Sequence, residues 1–256
     1  MTQYQRLVVA PAPCFAGGSI SLTTEQQHYL VRVLRLRAGD RFIAMDGQGQ
    51  WWLSVLTADL TQAEILEAIA VATELPVSVD LLLAMPKTGI DDVVRQATEL
   101  GVSRILPVIS DRTILKPSPQ KLDRWRRIAQ EAAEQSERQV VPEIHSPQKW
   151  SDALQEEYIQ RSLSYLCEAR GNYPHLLAHL EREGCAALSA LNPPMLTVAI
   201  GPEGGWTDAE ITEAIAVGFQ PVSLGFRILR AVTAPLVALS LVASVFEVMP
   251  QTQKAD

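Results

Sequence analysis

The distribution of apolar positions divides the chain near residue 75. Before it, apolar residues come in short runs with polar neighbours, as expected for half-buried strands around one helix. Residues 7–10 predict a short strand. Thr23 and Thr24, with Gln26 and Gln27 three residues on, predict a capped helix start. That helix is expected to run through Leu36, with Leu30, Val33 and Leu34 on one face and Arg32 and Arg35 away from it. Strands are predicted over 41–46 and 51–57, joined by the turn Asp46-Gly47-Gln48-Gly49. For residues 63–71 the periodicity fits either a third strand or a short helix. Pro76 then interrupts any continuing element.

Beyond Pro76, continuous apolar runs at 77–85, 104–109, 163–168, 196–200 and 221–224 alternate with helical patterns. Such alternation implies an α/β domain with a mainly parallel sheet. Helices are predicted over 90–100, closed by Gly101, and over 121–138, with an apolar stripe of Leu122, Trp125, Ile128, Ala129 and Ala132. On the second of these, Arg124, Arg127, Glu131 and Glu134 are expected to project elsewhere. An amphipathic helix is predicted over 151–160, and a helix with a linker over 174–194. Another helix is predicted from the capping box Thr207-Asp208-Ala209-Glu210 to Gly218. The apolar segment 231–248 approaches the length of a membrane span. It carries Thr233, Pro235, Ser240 and Ser244, with Glu247 near its end, and is expected to be a helix buried in protein.

Two strand ends run into distinctive loops. Leu196–Ile200 is followed by Gly201-Pro202-Glu203-Gly204-Gly205-Trp206, and the run ending at Leu224 is followed by Gly225-Phe226-Arg227-Ile228-Leu229-Arg230. Ligands of open α/β sheets bind beside the carboxyl ends of strands. The first loop lacks the Gly-Lys-Ser/Thr of a P-loop and the spacing of a dinucleotide fingerprint. Its glycines suggest close backbone approach or positive φ. Arg227 and Arg230 lie in an otherwise apolar strip, where a charge needs a partner or a ligand. Strand 163–168 ends in Glu168-Ala169-Arg170, expected to open toward the same place.

Composition narrows the class. The chain has 256 residues, 47% hydrophobic and 20% charged, enough for a real core in one or two domains. Its net charge of −7 argues against general nucleic-acid binding. Charge is unevenly spread, however: 7 bases against 4 acids over 112–138, and 13 acids against 7 bases over 139–256. Arg32, Arg35, Arg37 and Arg41 form a second basic cluster, and local basic strips suit specific RNA contact. Cys14, Cys167 and Cys185 are odd in number and widely spaced, so neither a disulfide framework nor a zinc knuckle is indicated. A reducing, cytoplasmic compartment is expected. His175 and His179 stand at i, i+4 with nothing to complete a metal site; they are expected on a solvated helix face.

The paired loops Gly201-Pro202-Glu203-Gly204-Gly205 and Leu224-Gly225-Phe226-Arg227-Ile228-Leu229-Arg230, followed by Thr233-Ala234, resemble the RsmE family of 16S rRNA uridine-N3 methyltransferases, in the SPOUT superfamily. Further matches are His28-Tyr29-Leu30-Val31-Arg32-Val33-Leu34-Arg35 with Asp46-Gly47, Met85-Pro86-Lys87, Ala97 to Val102, and Gln135-Ser136 with Arg138. The resemblance implies a small PUA-like RNA-binding β-barrel over 1–73 and a SPOUT α/β domain with a C-terminal trefoil knot over 74–256. It implies S-adenosylmethionine as cofactor, held by Ile200, Gly201, Gly204, Gly205, Leu224, Gly225, Ile228, Leu229, Thr233 and Ala234. It implies RNA contact by Arg32, Arg35, Arg37, Lys87, Gln135 and Arg138, no metal, and a homodimer paired through the knot. Arg227 or Arg230 would stabilise the developing uracil anion. Glu203 is either catalytic or a favourable neighbour of a helix dipole. Where the family has a glutamate between the second arginine and Thr-Ala, this chain has Val232. Two alternatives follow: a SPOUT enzyme acting on another RNA atom, such as a ribose 2′-oxygen, or an RNA-binding or ribosome-assembly protein without catalysis.

Overall fold

The computed structural model describes residues 4–9, 18–114, 117–184 and 191–248. Residue 10 of the first predicted strand, Cys14, and Cys185 with residues 186–190 of the predicted linker lie outside the described residues. The chain divides into two compact units: 1–74 with 130–141, and 75–129 with 142–256.

The first unit is built on five strands hydrogen-bonded in the order β1-β3-β4-β5-β2. These are β1 (Arg6–Val8), β2 (Ser19–Ser21), β3 (Arg41–Met45), β4 (Trp51–Leu56) and β5 (Gln62–Ile69). The ambiguous segment near residue 65 is therefore a strand, pairing antiparallel with β4. Helix α1 (Thr24–His28) starts at a capping box, with the Thr23 hydroxyl accepting from the Gln26 N–H and the Gln26 side chain accepting from the Thr23 N–H. It does not continue to Leu36. A π-helical turn, Tyr29–Val33, follows, and Arg35 takes φ +58. The wider turn rotates the face: Leu30 is buried, but Val33 points to solvent. Asp46 fixes the hairpin by accepting from the Gln48 and Gln50 N–H groups.

Residues 130–141 close this unit from far along the sequence. The Glu134 carboxylate accepts from the Val8 N–H and from Gln130. Glu134 was expected to project from the helix but is buried, and burial pushes its carboxyl above the usual carboxylate range. Glu74 accepts from the N–H groups of Gln139 and Val140 and pairs with Arg138.

The second unit carries a parallel sheet in the order β12-β10-β11-β6-β7-β8, with β9 also pairing β7. Its strands are β6 (Ser78–Ala84), β7 (Arg104–Ile109), β8 (Glu143–Ile144), β9 (Gln148–Lys149), β10 (Leu163–Cys167), β11 (Met195–Ile200) and β12 (Gln220–Val222). Central β6 and β11 are buried along almost their whole length, as continuous apolar runs require. Helix α2 (Ile90–Glu99) follows β6, and Gly101, at φ +89, lies just beyond its end. Helix α3 (Pro119–Ser136) starts in this unit and ends in the first; of its predicted stripe Trp125, Ile128, Ala129 and Ala132 are buried, and Leu122 is half-buried.

Residues 151–160 do not form one helix. Turns at Leu154–Glu156 separate α4 (Trp150–Ala153) from α5 (Glu157–Gln160), which lets Trp150, Ala153, Leu154 and Ile159 enter one core. Helix α6 (Leu176–His179) is capped by the His175 ring, which accepts from the Leu177 N–H. His179 is buried against Tyr165, with ring centroids 5.9 Å apart, and so is not on a solvated face. Helix α7 (Asp208–Ala216) starts at the expected capping box. Helix α8 (Ala234–Glu247) begins three residues later than predicted, after a turn at Ala231–Thr233. It buries one stripe only: Pro235, Ala238, Leu239, Val242, Ala243 and Phe246. No helix among the described residues is long and apolar enough to cross a membrane.

Candidate functional site

The carboxyl ends of β6, β7, β10, β11 and β12 converge on a cavity of about 680 Å³. Its floor is the loop after β11. Trp206 closes that loop by stacking on Trp150, centroids 4.4 Å apart, while its indole N–H donates to the Cys167 carbonyl at 3.3 Å. The indole lies so close to Gly201 that a Cβ there would stand 3.1 Å from the ring. Gly205 takes φ +74, a conformation that would strain a residue with a side chain.

Neighbouring strand ends hold this loop in place. The Glu203 Oε1 accepts from the Lys87 N–H at 2.8 Å, tying it to the loop after β6. The Arg112 guanidinium, after β7, donates to the carbonyls of Gly204 at 2.7 Å and Trp206 at 3.2 Å. Glu210 accepts from the N–H of Thr207 and, with its other oxygen, from the N–H of Asp111. The capping carboxylate of α7 therefore also anchors the end of β7.

The opposite wall is the loop after β12, with Leu224, Gly225, Arg227, Ile228, Leu229 and Arg230, continued by Val232 and Ala234. Where a Cβ would stand at Gly205 on the first loop or at Gly225 on the second, nothing lies within 4 Å, so each loop leaves open space there. Among the described residues, no ion pair involves Arg227 or Arg230, and both are exposed. A wall of main chain and aliphatic side chains, with two unneutralised guanidinium groups, suits a flat, partly polar ligand beside an electron-rich one.

The structure thus brings Glu203, Arg227, Arg230 and nine of the ten cofactor candidates to one cavity. Thr233 is the exception: it is exposed, and its N–H donates to the Arg230 carbonyl, so it shapes the turn into α8. Glu168 and Arg170 line the cavity as expected. Arg32, Arg35, Arg37, Lys87 and Gln135 are exposed, each on its own unit. Arg138 is only 4% exposed and pairs with Glu74, so its guanidinium is a structural element of the first unit and not an open phosphate contact. Sequence inspection missed Arg112, Tyr173 and Trp206 as lining residues. Only the position of Arg112, just past a parallel strand, hinted at it.

Comparisons with known proteins agree with this geometry. The family model described as RNA methyltransferase domain matches residues 73–243, and that of the RNA methyltransferase PUA domain matches 22–66. A Synechocystis sp. protein named ribosomal RNA small subunit methyltransferase E is 46% identical over 94% of this chain and 78% of its own length. The Bacillus subtilis protein of the same name is 30% identical over 92% of this chain and 91% of its own. A crystal structure of the Neisseria gonorrhoeae protein of that name, bound to S-adenosyl methionine, matches with a TM-score of 0.81 at 28% identity, covering 95% of this chain and 98% of that one. A domain matched over most of the chain, and relatives under one name matched over most of their own length, place this chain in the RNA methyltransferase family, among the ribosomal RNA small subunit methyltransferases E.

Proposed function

We propose that this chain transfers a methyl group from S-adenosylmethionine to N3 of one uridine in the 16S rRNA of the small ribosomal subunit. The observation that carries this reading is the cavity between the two loops, open at Gly205 and Gly225 and bordered by two unpaired arginines. RNA recognition is assigned to residues 1–73, through Arg32, Arg35 and Arg37, and methyl transfer to 74–256, with Lys87 and Gln135 as further RNA contacts.

Bound in this cavity, S-adenosylmethionine would supply an electrophilic methyl on a sulfonium. Ile200, Gly201, Gly204, Gly205, Leu224, Gly225, Ile228, Leu229 and Ala234 would hold it, largely through main chain. For N3 of uridine to take the methyl group, its N–H proton must pass to solvent water. Negative charge meanwhile spreads onto the uracil oxygens. Arg227 or Arg230 meets that charge, and the clamped loop supplies alignment. Glu203 is already engaged by the Lys87 N–H, which favours a holding role for it. Glu203→Gln, whose amide oxygen still accepts, should keep single-turnover methyl transfer within about three-fold, while Glu203→Ala should lose about tenfold. If the glutamine variant fell as far as the alanine one, the carboxylate would be acting chemically.

The chain after β12 returns from the sheet edge to lie at Gly89, where Val232 would stand 3.1 Å from an added Cβ. This return path supports a knotted C-terminus. Helix α8 leaves a second apolar stripe, Val237, Leu241 and Val245, half-exposed, with Val248 beyond it exposed. That stripe supports a homodimer with two-fold symmetry, which sedimentation at micromolar concentration tests. The site of action would be the cytoplasm.

The decisive experiment is methyl transfer to small ribosomal subunits lacking the modification, with the product nucleoside identified. We expect 3-methyluridine at one position. A 2′-O-methylated nucleoside would assign a different atom. Binding of subunits without transfer would assign a non-catalytic role; Val232→Glu would then show whether the missing carboxylate is the cause.

A further inference from the structure

Phe226 stands apart from the other aromatic residues among the described residues. Its side chain is fully exposed, whereas no other described phenylalanine, tyrosine or tryptophan is. It sits on the loop after β12, beside Arg227, and the next apolar residue, Ile228, is also exposed. Arg227, Ile228 and Arg230 line the cavity, but Phe226 does not. The ring therefore lies outside the cavity, on the loop that forms its wall.

An aromatic ring left in water leaves a large apolar surface unpartnered. Two kinds of surface could cover it here. An apolar partner surface would cover the ring but would bury Arg227 and Arg230, which have no ion-pair partner among the described residues. Burying unpaired guanidinium groups is strongly unfavourable. Single-stranded RNA meets both needs, because each base offers a π-face and each linkage offers a phosphate.

We infer that Phe226 is a stacking platform for an unpaired base of the RNA substrate next to the methylated uridine, with the neighbouring arginines meeting the adjoining phosphates. This rests on the proposed methyl transfer to rRNA and adds how the target nucleotide is presented. Because stacking needs only a flat π-face, Phe226→Trp should serve and Phe226→Ala should not.

The test compares the wild-type chain with Phe226→Ala and Phe226→Trp on unmodified small ribosomal subunits. In Phe226→Ala, kcat/KM for the subunits should fall by about tenfold, within the range that loss of one stacked base produces. Phe226→Trp should stay within about three-fold of wild type, and the Kd for S-adenosylmethionine should be the same in all three. An unchanged kcat/KM in Phe226→Ala overturns the inference. So does a shift of Phe226→Ala toward monomer in sedimentation, which would assign the ring to a subunit contact. Direct binding of the subunits by wild type and Phe226→Ala reads the same contact without catalysis. If wild type transfers no methyl group but Phe226→Ala still binds more weakly, the stacking stands and only the catalytic reading fails.

Discussion

Replacing Arg104 by methionine should destabilise the second unit by about 3–5 kcal/mol, read as a lowered midpoint in urea denaturation. Asp80, on β6, has a side chain with no exposure, and its two oxygens accept from Arg104 Nε at 2.7 Å and Nη2 at 2.6 Å. The guanidinium also lies over the Tyr158 ring, 4.2 Å from the centroid. Burial pushes the Asp80 carboxyl above the usual carboxylate range, even against the opposing effect of Arg104. Partial burial lowers Arg104, but its hydrogen bonds to Asp80 and the charge of Asp80 outweigh that and raise it. Desolvation thus falls mainly on the carboxylate, which depends on Arg104. Methionine keeps much of the stem volume and removes the only ion-pair partner found for Asp80 among the described residues, leaving a buried charge.

The same balance sets a pH dependence. With its folded pKa raised above the unfolded value, Asp80 holds a proton more tightly in the folded state. Folding stability from this group therefore rises as pH falls through the raised pKa. Removing Arg104 raises that pKa further, so the methionine variant should be hurt most at pH 8 and least toward pH 5. Adding Asp80→Asn should recover much of the loss at pH 8 and abolish the pH difference. An Arg104→Met midpoint independent of pH would sink this account.

How much of this molecule is legible in the sequence depends on the distance over which each residue finds its partner. Strands β6, β7 and β11 are readable because continuous apolar runs suffice to define a parallel, doubly covered sheet. The caps at Thr23 and Thr207 are readable because their partners lie three residues on. The π turn at Tyr29–Val33 is not, since its local pattern also fits an ordinary helix. Long-range pairing hides the rest. Glu134 reads as the outer face of a charged helix, and Arg138 as an RNA contact. Only the fold brings Val8 to the first and Glu74 to the second. Arg112 reads as one base among several in a basic stretch. Its value lies in two carbonyls more than 90 residues away. The two loops of the cavity were visible as chemistry, because glycines and lone arginines at strand ends are unusual residues in unusual places. The clamps that hold those loops were not.

Substituting Arg227 and Arg230 singly by alanine should divide their roles. Both line the cavity, both are exposed, and neither has an ion-pair partner among the described residues. Removing either leaves no buried group unpaired, so thermal unfolding and the Kd for S-adenosylmethionine should hold while the chemistry changes. The arginine that faces the uracil oxygens supplies charge where charge develops. Its loss should lower the single-turnover rate of methyl transfer by about 10²–10³, the cost of removing one oxyanion-hole donor from a protease. The other should act on binding. Its loss should raise KM for the small subunit and reduce the slope of log affinity against log salt by about one, the signature of one phosphate contact. The assignment follows from the measurement, since kcat and salt slope are independent readouts. Two alanine variants that both kept their single-turnover rates within about three-fold of wild type would show that neither arginine meets the developing anion. The charge would then have to be met from elsewhere in the cavity, where Arg170 is the remaining exposed guanidinium and Arg112 is already committed to the loop carbonyls.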